Sequence, residues 1–335
     1  MTDNVTKKQS KLQNFLERNK KSEGYLLKKT VGNFIFRLLR AVLIFGLVFL
    51  ILQPILNKIS FSFMSEKDLY DATVISIPRR FTTANYELTA ELMHYWKALI
   101  NSTWISLLVA ILQVFAATLV GYGFARFEFP LKKLWFACVI LVIVIPPQTI
   151  SSSQYLNFRF FDFLGILKLL KREPINLLNS VIPYSMLSVT CMGLKDGLYI
   201  YMIRQFFRGI PKELEEAAYV DGCGKLRTFL SIMLPDATPI VTSCFLFAFV
   251  WQWTDSFYTK MFLAKYDLLS KMLLGITERL NEYLSSHANV AQASSAYANA
   301  MISTGTLMAI VPLIIIYLFA QKGFVESLSQ SGIKM

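Results

Sequence analysis

The sequence predicts an all-α membrane protein with six transmembrane helices. Three observations predict it. Of the 335 residues, 54% are hydrophobic and the mean hydropathy is +0.46, against roughly 45–50% apolar residues in a soluble domain. The apolar residues gather into blocks that reach the roughly 20 residues a helix needs to cross a bilayer. Lys and Arg concentrate between these blocks, where membrane proteins carry the charges that set their orientation.

Residues 1–33 form a basic tail with Lys7, Lys8, Lys11, Arg18, Lys20, Lys21, Lys28 and Lys29. It reads as a cytoplasmic topology signal, with contact to anionic lipid as the other reading. The tail is long for the n-region of a signal peptide, so the apolar run after it is read as a retained first span, 34–58. Residues 59–98, with Pro78, Arg79 and Arg80, are an extracytoplasmic loop. Span two covers 99–125. The short basic loop RFEFPLKK follows, and span three, 134–156, is expected to break at Pro146 and Pro147. Residues 157–176 are amphipathic and aromatic, which predicts a helix lying in the interface.

Span four runs from 177 to 207 and contains Gly193, Lys195, Asp196 and Gly197 part-way. An unpaired charge in lipid costs a few kcal/mol, so a locally broken helix is preferred there to a substrate site. Span five is 237–260, residues 261–298 are polar, span six is 299–321, and a tail closes the chain. Six spans put both termini on one side. About twenty Lys and Arg fall on that side against about thirteen on the other, so both termini are expected inside.

The formal net charge of +12 is accounted for by this topology. No basic stripe with interleaved aromatics lies outside the spans, so nucleic acid is not an expected partner. Cys138, Cys191, Cys223 and Cys244 are too far apart for a metal knuckle and suggest no disulfide framework. His94 and His287 are the only histidines and are distant in sequence, so no metal site is expected.

The segment between spans four and five is charged and helix-prone but too polar for lipid. Pro211 suits a first helical turn. Glu213, Glu215 and Glu216 lie where the helix dipole favours carboxylates. Leu214, Ala217 and Ala218 share a face, and Gly222 is placed to stop the helix in a left-handed conformation. A second short helix is expected from Lys225 to Met233, with Leu226, Phe229, Leu230 and Met233 on one side and Pro235 ending it. The result is a bent pair of short helices suited to docking.

Glu216, Ala217 and Ala218, then Gly222 after three residues, then Ile232, Leu234 and Pro235 after nine more, match the EAA loop of permease subunits of ATP-binding-cassette importers. Residues from about 99 onward resemble the maltose-type sugar branch of that family: Asn101–Ser102, GYGFARFEFP, IPPQ, RQFFRGIPKELEEAA and FVWQWTDSF. The resemblance implies the type I importer permease fold, with residues 99–322 as the core permease domain. It implies that loop 209–235 is a coupling helix held in a cleft of an ATPase subunit. Glu216 would pair with a basic group there, Ala217 and Ala218 would pack in the cleft, and Gly222 would form the corner. Glu215, Asp221, Ile232, Leu234 and Pro235 complete the coupling set.

The implied partners are a second, homologous permease, two ABC ATPase subunits, an extracellular solute-binding lipoprotein and membrane lipids, in a bacterial cell membrane. The tail 323–335 resembles one that reaches between the two ATPases. The small, polar stretch 285–300 resembles a loop that enters the docked binding protein. ATP and Mg would sit on the partner subunits, because this chain has no GxxxxGK[ST] pattern: Gly224–Lys225 is followed by Leu226. No HExxH or GxSxG motif suggests an enzyme.

A sugar path needs aromatic faces for C–H surfaces and amides or carboxylates for hydroxyls. Gln113, Gln148, Trp251, Gln252, Trp253, Thr254 and Asp255 are the candidates. Trp251 and Trp253 equally fit an aromatic belt at the outer end of span five. The expected cargo is a sugar or oligosaccharide; the alternative is an osmolyte, phosphate, metal or peptide carried on the same architecture.

Overall fold

The computed structural model describes residues 20, 25–71, 73–75, 77–170, 172–288 and 290–333. Most of the basic tail therefore lies outside the described residues. The chain divides into two units, 1–60 and 61–335. The first consists, as described, of helix α1, which runs over Tyr25–Ser62 and crosses the boundary by two residues. It is apolar around its circumference, with Phe34, Leu43, Phe45 and Ile51 exposed. Such a helix is suited to lipid rather than water. It is longer than the span predicted at 34–58.

Among the described residues, three helices are long and apolar enough to cross a membrane, or up to five if each of two bent pairs counts as one span. The second unit is built on one of them, α4 (Tyr95–Arg126). The predicted loop before it is organised: α2 (Glu66–Leu69) and α3 (Ala84–Leu92) lie within it. Asn85 Nδ2 donates to the carbonyls of Ser62 and Met64, and the Asp68 carboxylate accepts from Arg80 N–H.

The predicted break in span three is present. α5 (Lys132–Val144) and α6 (Pro147–Arg159) meet at 100° across the two prolines. Pro147 occupies the start of α6, where a missing N–H leaves no bond unmade.

The interfacial helix expected over 157–176 does not form. A 3₁₀ turn at Phe163–Gly165 and the single turn α7 (Ile166–Leu169) occupy the segment. Phe161 and Ile175 exchange backbone hydrogen bonds of 3.0 Å, closing it into a loop. The Asp162 carboxylate accepts from the N–H groups of Leu167 and Lys168, so a local side-chain acceptor competes with helix propagation.

Span four is divided into α8 (Ile182–Val189) and α9 (Asp196–Gly209). Between them Cys191 and Lys195 both have left-handed φ, +58° and +69°. Close packing sets α9 in place. A Cβ on Gly121 of α4 would lie 2.9 Å from Ile203, and one on Gly197 would lie 2.8 Å from Ile143 of α5. The small residues thus let backbones approach.

Span five ends earlier than predicted. α13 (Thr238–Thr254) stops at Asp255, whose carboxylate accepts from the N–H groups of Phe257, Tyr258 and Thr259 and so starts α14 (Phe257–Phe262). The polar segment beyond carries α15 (Leu269–Leu274) and α16 (Ile276–His287). Asn101 Nδ2 donates to the Asp267 carbonyl and Ser102 Oγ accepts from Leu269 N–H, fastening this segment to α4. Asp267 also pairs with Lys97 at 3.0 Å and lies 3.4 Å from His94. Burial works against its charge, but these two neighbours outweigh that and hold the carboxyl below its ordinary range.

The final helix α17 covers Ser295–Ile333 with Pro312 inside it. It begins within the stretch 285–300 expected to be a small polar loop, and Ala300 is fully buried. Its backbone continues through most of the predicted tail; the side chains there lie outside the described residues. One core gathers α4, α9, α13 and α17 around Tyr199, Ile203, Cys244 and Met301. A second gathers Ile105, Phe158, Tyr184, Tyr258 and Phe262.

Candidate functional site

The loop between α9 and α13 is a bent lever. Its first arm, α10 (Glu213–Val220), begins after Pro211 and Lys212, whose carbonyl accepts from the N–H groups of Glu215 and Glu216. Three carboxylates in the first turn complement the positive end of the helix. Gly222 has φ +82°, the left-handed conformation its sequence position predicts. No atom lies within 4 Å of the place a Cβ would occupy, so backbone conformation rather than space requires glycine there.

The second arm departs from the expected α-helix with Pro235 at its end. α11 (Lys225–Thr228) passes into a π-helical turn over Phe229–Met233 and then into α12 (Leu234–Asp236). Phe229 and Met233 are buried while Leu226 and Leu230 are exposed, and Leu226, Phe229 and Leu230 line one apolar groove. A proline ring clashes with the carbonyl four residues earlier in an α-helix; the wider π turn precedes Pro235 and the helix continues through it. The chain turns instead by 73° between the segments 225–236 and 238–254.

The acidic and alanine residues of α10 divide between two faces. Glu216 and Ala217 are exposed, as are Asp221 and Gly222. Glu215 and Ala218 are buried against the protein's own helices. Glu215 Oε1 lies 3.3 Å from Arg126 Nε and accepts from the Tyr122 hydroxyl at 3.0 Å. Arg126 Nη2 donates at 2.8 Å to the carbonyl of Ile210, just before the lever. Tyr122 packs between Phe207 and Phe229, with ring centroids 5.2 and 4.6 Å away. The root of the lever is therefore a buried ion pair and an aromatic stack joining it to the last turn of α4. Ile232 and Leu234 are half-buried and Pro235 is exposed.

Arg126 and Tyr122 were not singled out from the sequence as part of this assembly. The signal available was one cation and one phenol at the end of an apolar helix, and nothing local pairs them with a glutamate 93 residues from Tyr122.

The residues predicted to line a path are not all free to do so. Gln113 is buried and donates to the Leu194 carbonyl, bracing the break between α8 and α9. Trp253 is buried and its indole N–H donates to the Ala309 carbonyl, tying α13 to α17. Gln252 is buried as well. Asp255 caps α14 and accepts from the Tyr184 hydroxyl at 2.8 Å. These four serve the packing of the chain in this structure. Gln148, Trp251 and Thr254 are exposed. Among the described residues no group of three or more His, Cys, Asp or Glu side chains is placed to hold a metal ion.

Known proteins are similar to this chain in sequence and fold. The arabinooligosaccharides transport system permease protein AraQ of Halalkalibacterium halodurans is 25% identical over 291 residues, 86% of this chain and 93% of that protein. The maltodextrin transport system permease protein MdxG of Bacillus subtilis is 26% identical over 234 residues, 70% of this chain and 74% of that protein. The fold resembles a chain in the crystal structure of a bacterial ABC transporter involved in the import of the acidic polysaccharide alginate. The TM-score is 0.67 at 19% sequence identity, with 86% of this chain and 96% of that chain covered. Residues 113–326, more than half of the sequence and including the whole lever, match the family described as the binding-protein-dependent transport system inner membrane component. The chain belongs to that family.

Proposed function

We propose that this chain is one permease subunit of an ATP-driven importer that carries a sugar or oligosaccharide across a bacterial cell membrane. The observation that carries the reading is the lever: an exposed Glu216–Ala217 edge on a helix whose opposite face is anchored by buried Glu215 and Ala218. A rigid root with a free edge transmits force from a partner into α4 and α9.

In this reading the chain makes six spans, the broken pair α8 and α9 being the fourth, and both termini lie inside. The lever then faces two ABC ATPase subunits, which hold ATP and Mg; this chain holds neither. A homologous permease completes the passage, and an extracellular solute-binding lipoprotein delivers cargo to the segment carrying α15 and α16. Sugar cargo is supported by the named cargoes of AraQ and MdxG. Nucleotide-driven closure of the ATPases swings the levers and turns the passage from one side to the other.

The test is reconstitution with co-purifying subunits. Glu216→Ala and Gly222→Pro are expected to keep membrane insertion and ATP hydrolysis while uptake of labelled oligosaccharide falls at least tenfold. Full uptake by both variants refutes the role of the lever, and transport of a non-sugar solute alone refutes the cargo.

A further inference from the structure

The break in the fourth span places a lysine where the rest of the protein does not use it. Lys195 is exposed, and its ammonium lies 5.0 Å from the ring centroid of Trp251 on α13. Among the described residues it has no carboxylate partner. The adjacent Asp196 is fully buried and turns the other way, accepting the Gly193 N–H at 2.7 Å through Oδ2. The backbone enforces this separation. Lys195 is held at φ +69°, a conformation that non-glycine residues seldom adopt. At Gly193 a Cβ would lie 2.5 Å from Gln113 Nε2 and 2.9 Å from Asp196 Oδ2, so the carboxylate side of the break is closed.

Depth decides what such a lysine can face. On the importer reading, which sets the lever at the inner face of the membrane, Lys195 and Trp251 lie about 20 Å from that face along α9 and α13 at 1.5 Å per residue, within a hydrocarbon core of about 30 Å. A charged side chain at that depth faces a water-filled path or a partner of opposite charge rather than lipid. Trp251 is 44% exposed beside it. An indole offers a surface for the C–H face of a sugar ring, and an ammonium without a counter-ion offers a point charge for an anion.

We infer that Lys195 and Trp251 form a cargo-contact site in the passage, selective for glycans that carry a carboxylate, as uronate units do. The sugar ring lies against the indole and its carboxylate accepts from the ammonium, supplying the charge that Asp196 withholds. This rests on the importer reading above and narrows its cargo to acidic sugars.

The experiment uses the intact importer in lipid nanodiscs, titrated with trigalacturonate and with neutral maltotriose while tryptophan emission is followed. Trigalacturonate is expected to quench saturably, and Trp251→Phe to remove that signal. In Lys195→Gln the ratio of trigalacturonate to maltotriose affinity should fall at least tenfold, and Lys195→Arg should restore most of it. An affinity ratio that is the same in Lys195→Gln as in the unmodified protein overturns the charge selection. Absence of any quench by trigalacturonate also overturns it and leaves Lys195 as a side chain reaching for the membrane surface. Uptake of neutral glycans by the reconstituted complex separates the two claims: if it persists while selection fails, the importer reading stands, and if no glycan is carried, both fall.

Discussion

The Arg126–Glu215 pair is the contact whose removal tests how the lever is held. Its side chains are 5% and 10% exposed and 3.3 Å apart. At an effective dielectric constant of about 20, unit charges at that distance attract by about 5 kcal/mol, and desolvation of both ions offsets much of this. The net value of the intact pair is therefore small, whereas stranding one buried charge costs about 3–5 kcal/mol. Glu215→Gln leaves Arg126 without its counter-charge, and Arg126→Leu leaves Glu215 with only the Tyr122 hydroxyl. Each single variant is expected to destabilise α10 by that amount, and the double variant Arg126→Leu/Glu215→Gln by far less than the sum. The assay is backbone hydrogen exchange over residues 212–220 in the purified importer. At about 1.4 kcal/mol per tenfold change, exchange there should rise by about two to three and a half orders of magnitude in the single variants and fall back in the double. Exchange within threefold of the unmodified protein in both single variants, or effects that simply add, would refute the claim that this pair roots the lever.

Other consequences follow from the same geometry. Gly222→Val should destabilise the lever by about 1–2 kcal/mol through its left-handed φ, while Gly222→Asn should be better tolerated; thermal unfolding of the purified subunit in detergent distinguishes them. Gly193→Ala should cost about 1–3 kcal/mol by overpacking against Gln113 and Asp196, read as a lowered unfolding midpoint. Asp267 has its folded pKa depressed, so its stabilising contribution is complete above the ordinary carboxylate value of about 3.9. That contribution disappears as pH falls through the lower folded value. The midpoint of the unmodified protein should therefore drop on acidification below about pH 4, and that part of the drop should be missing in Asp267→Asn.

The left-handed glycine, the double-proline break and the placement of long apolar helices were legible in the sequence because each follows from residues adjacent in the chain. Gly222 announces itself by following an amphipathic turn, and Pro146–Pro147 by interrupting an apolar run. The segment 157–176 misled because its apolar spacing suits a helix, yet Asp162 and the Phe161–Ile175 bridge spend its backbone groups on a loop. The path candidates divide because polarity inside a span has two explanations. Gln113, Trp253 and Asp255 satisfy neighbouring backbone or cap a helix, and only Gln148, Trp251 and Thr254 remain open.

By itself the sequence determined that the chain is helical and lipid-bound, where its helices bend, and that a short acidic, alanine-bearing turn projects between two of them. Periodicity, proline and glycine act within a few residues and need no partner. Only the tertiary structure decided that Glu215 turns inward while Glu216 stays out, and that Lys195 meets Trp251 instead of Asp196. Those choices depend on which distant side chains arrive at the same place, and the chain must fold around α4 before their charges and rings can meet.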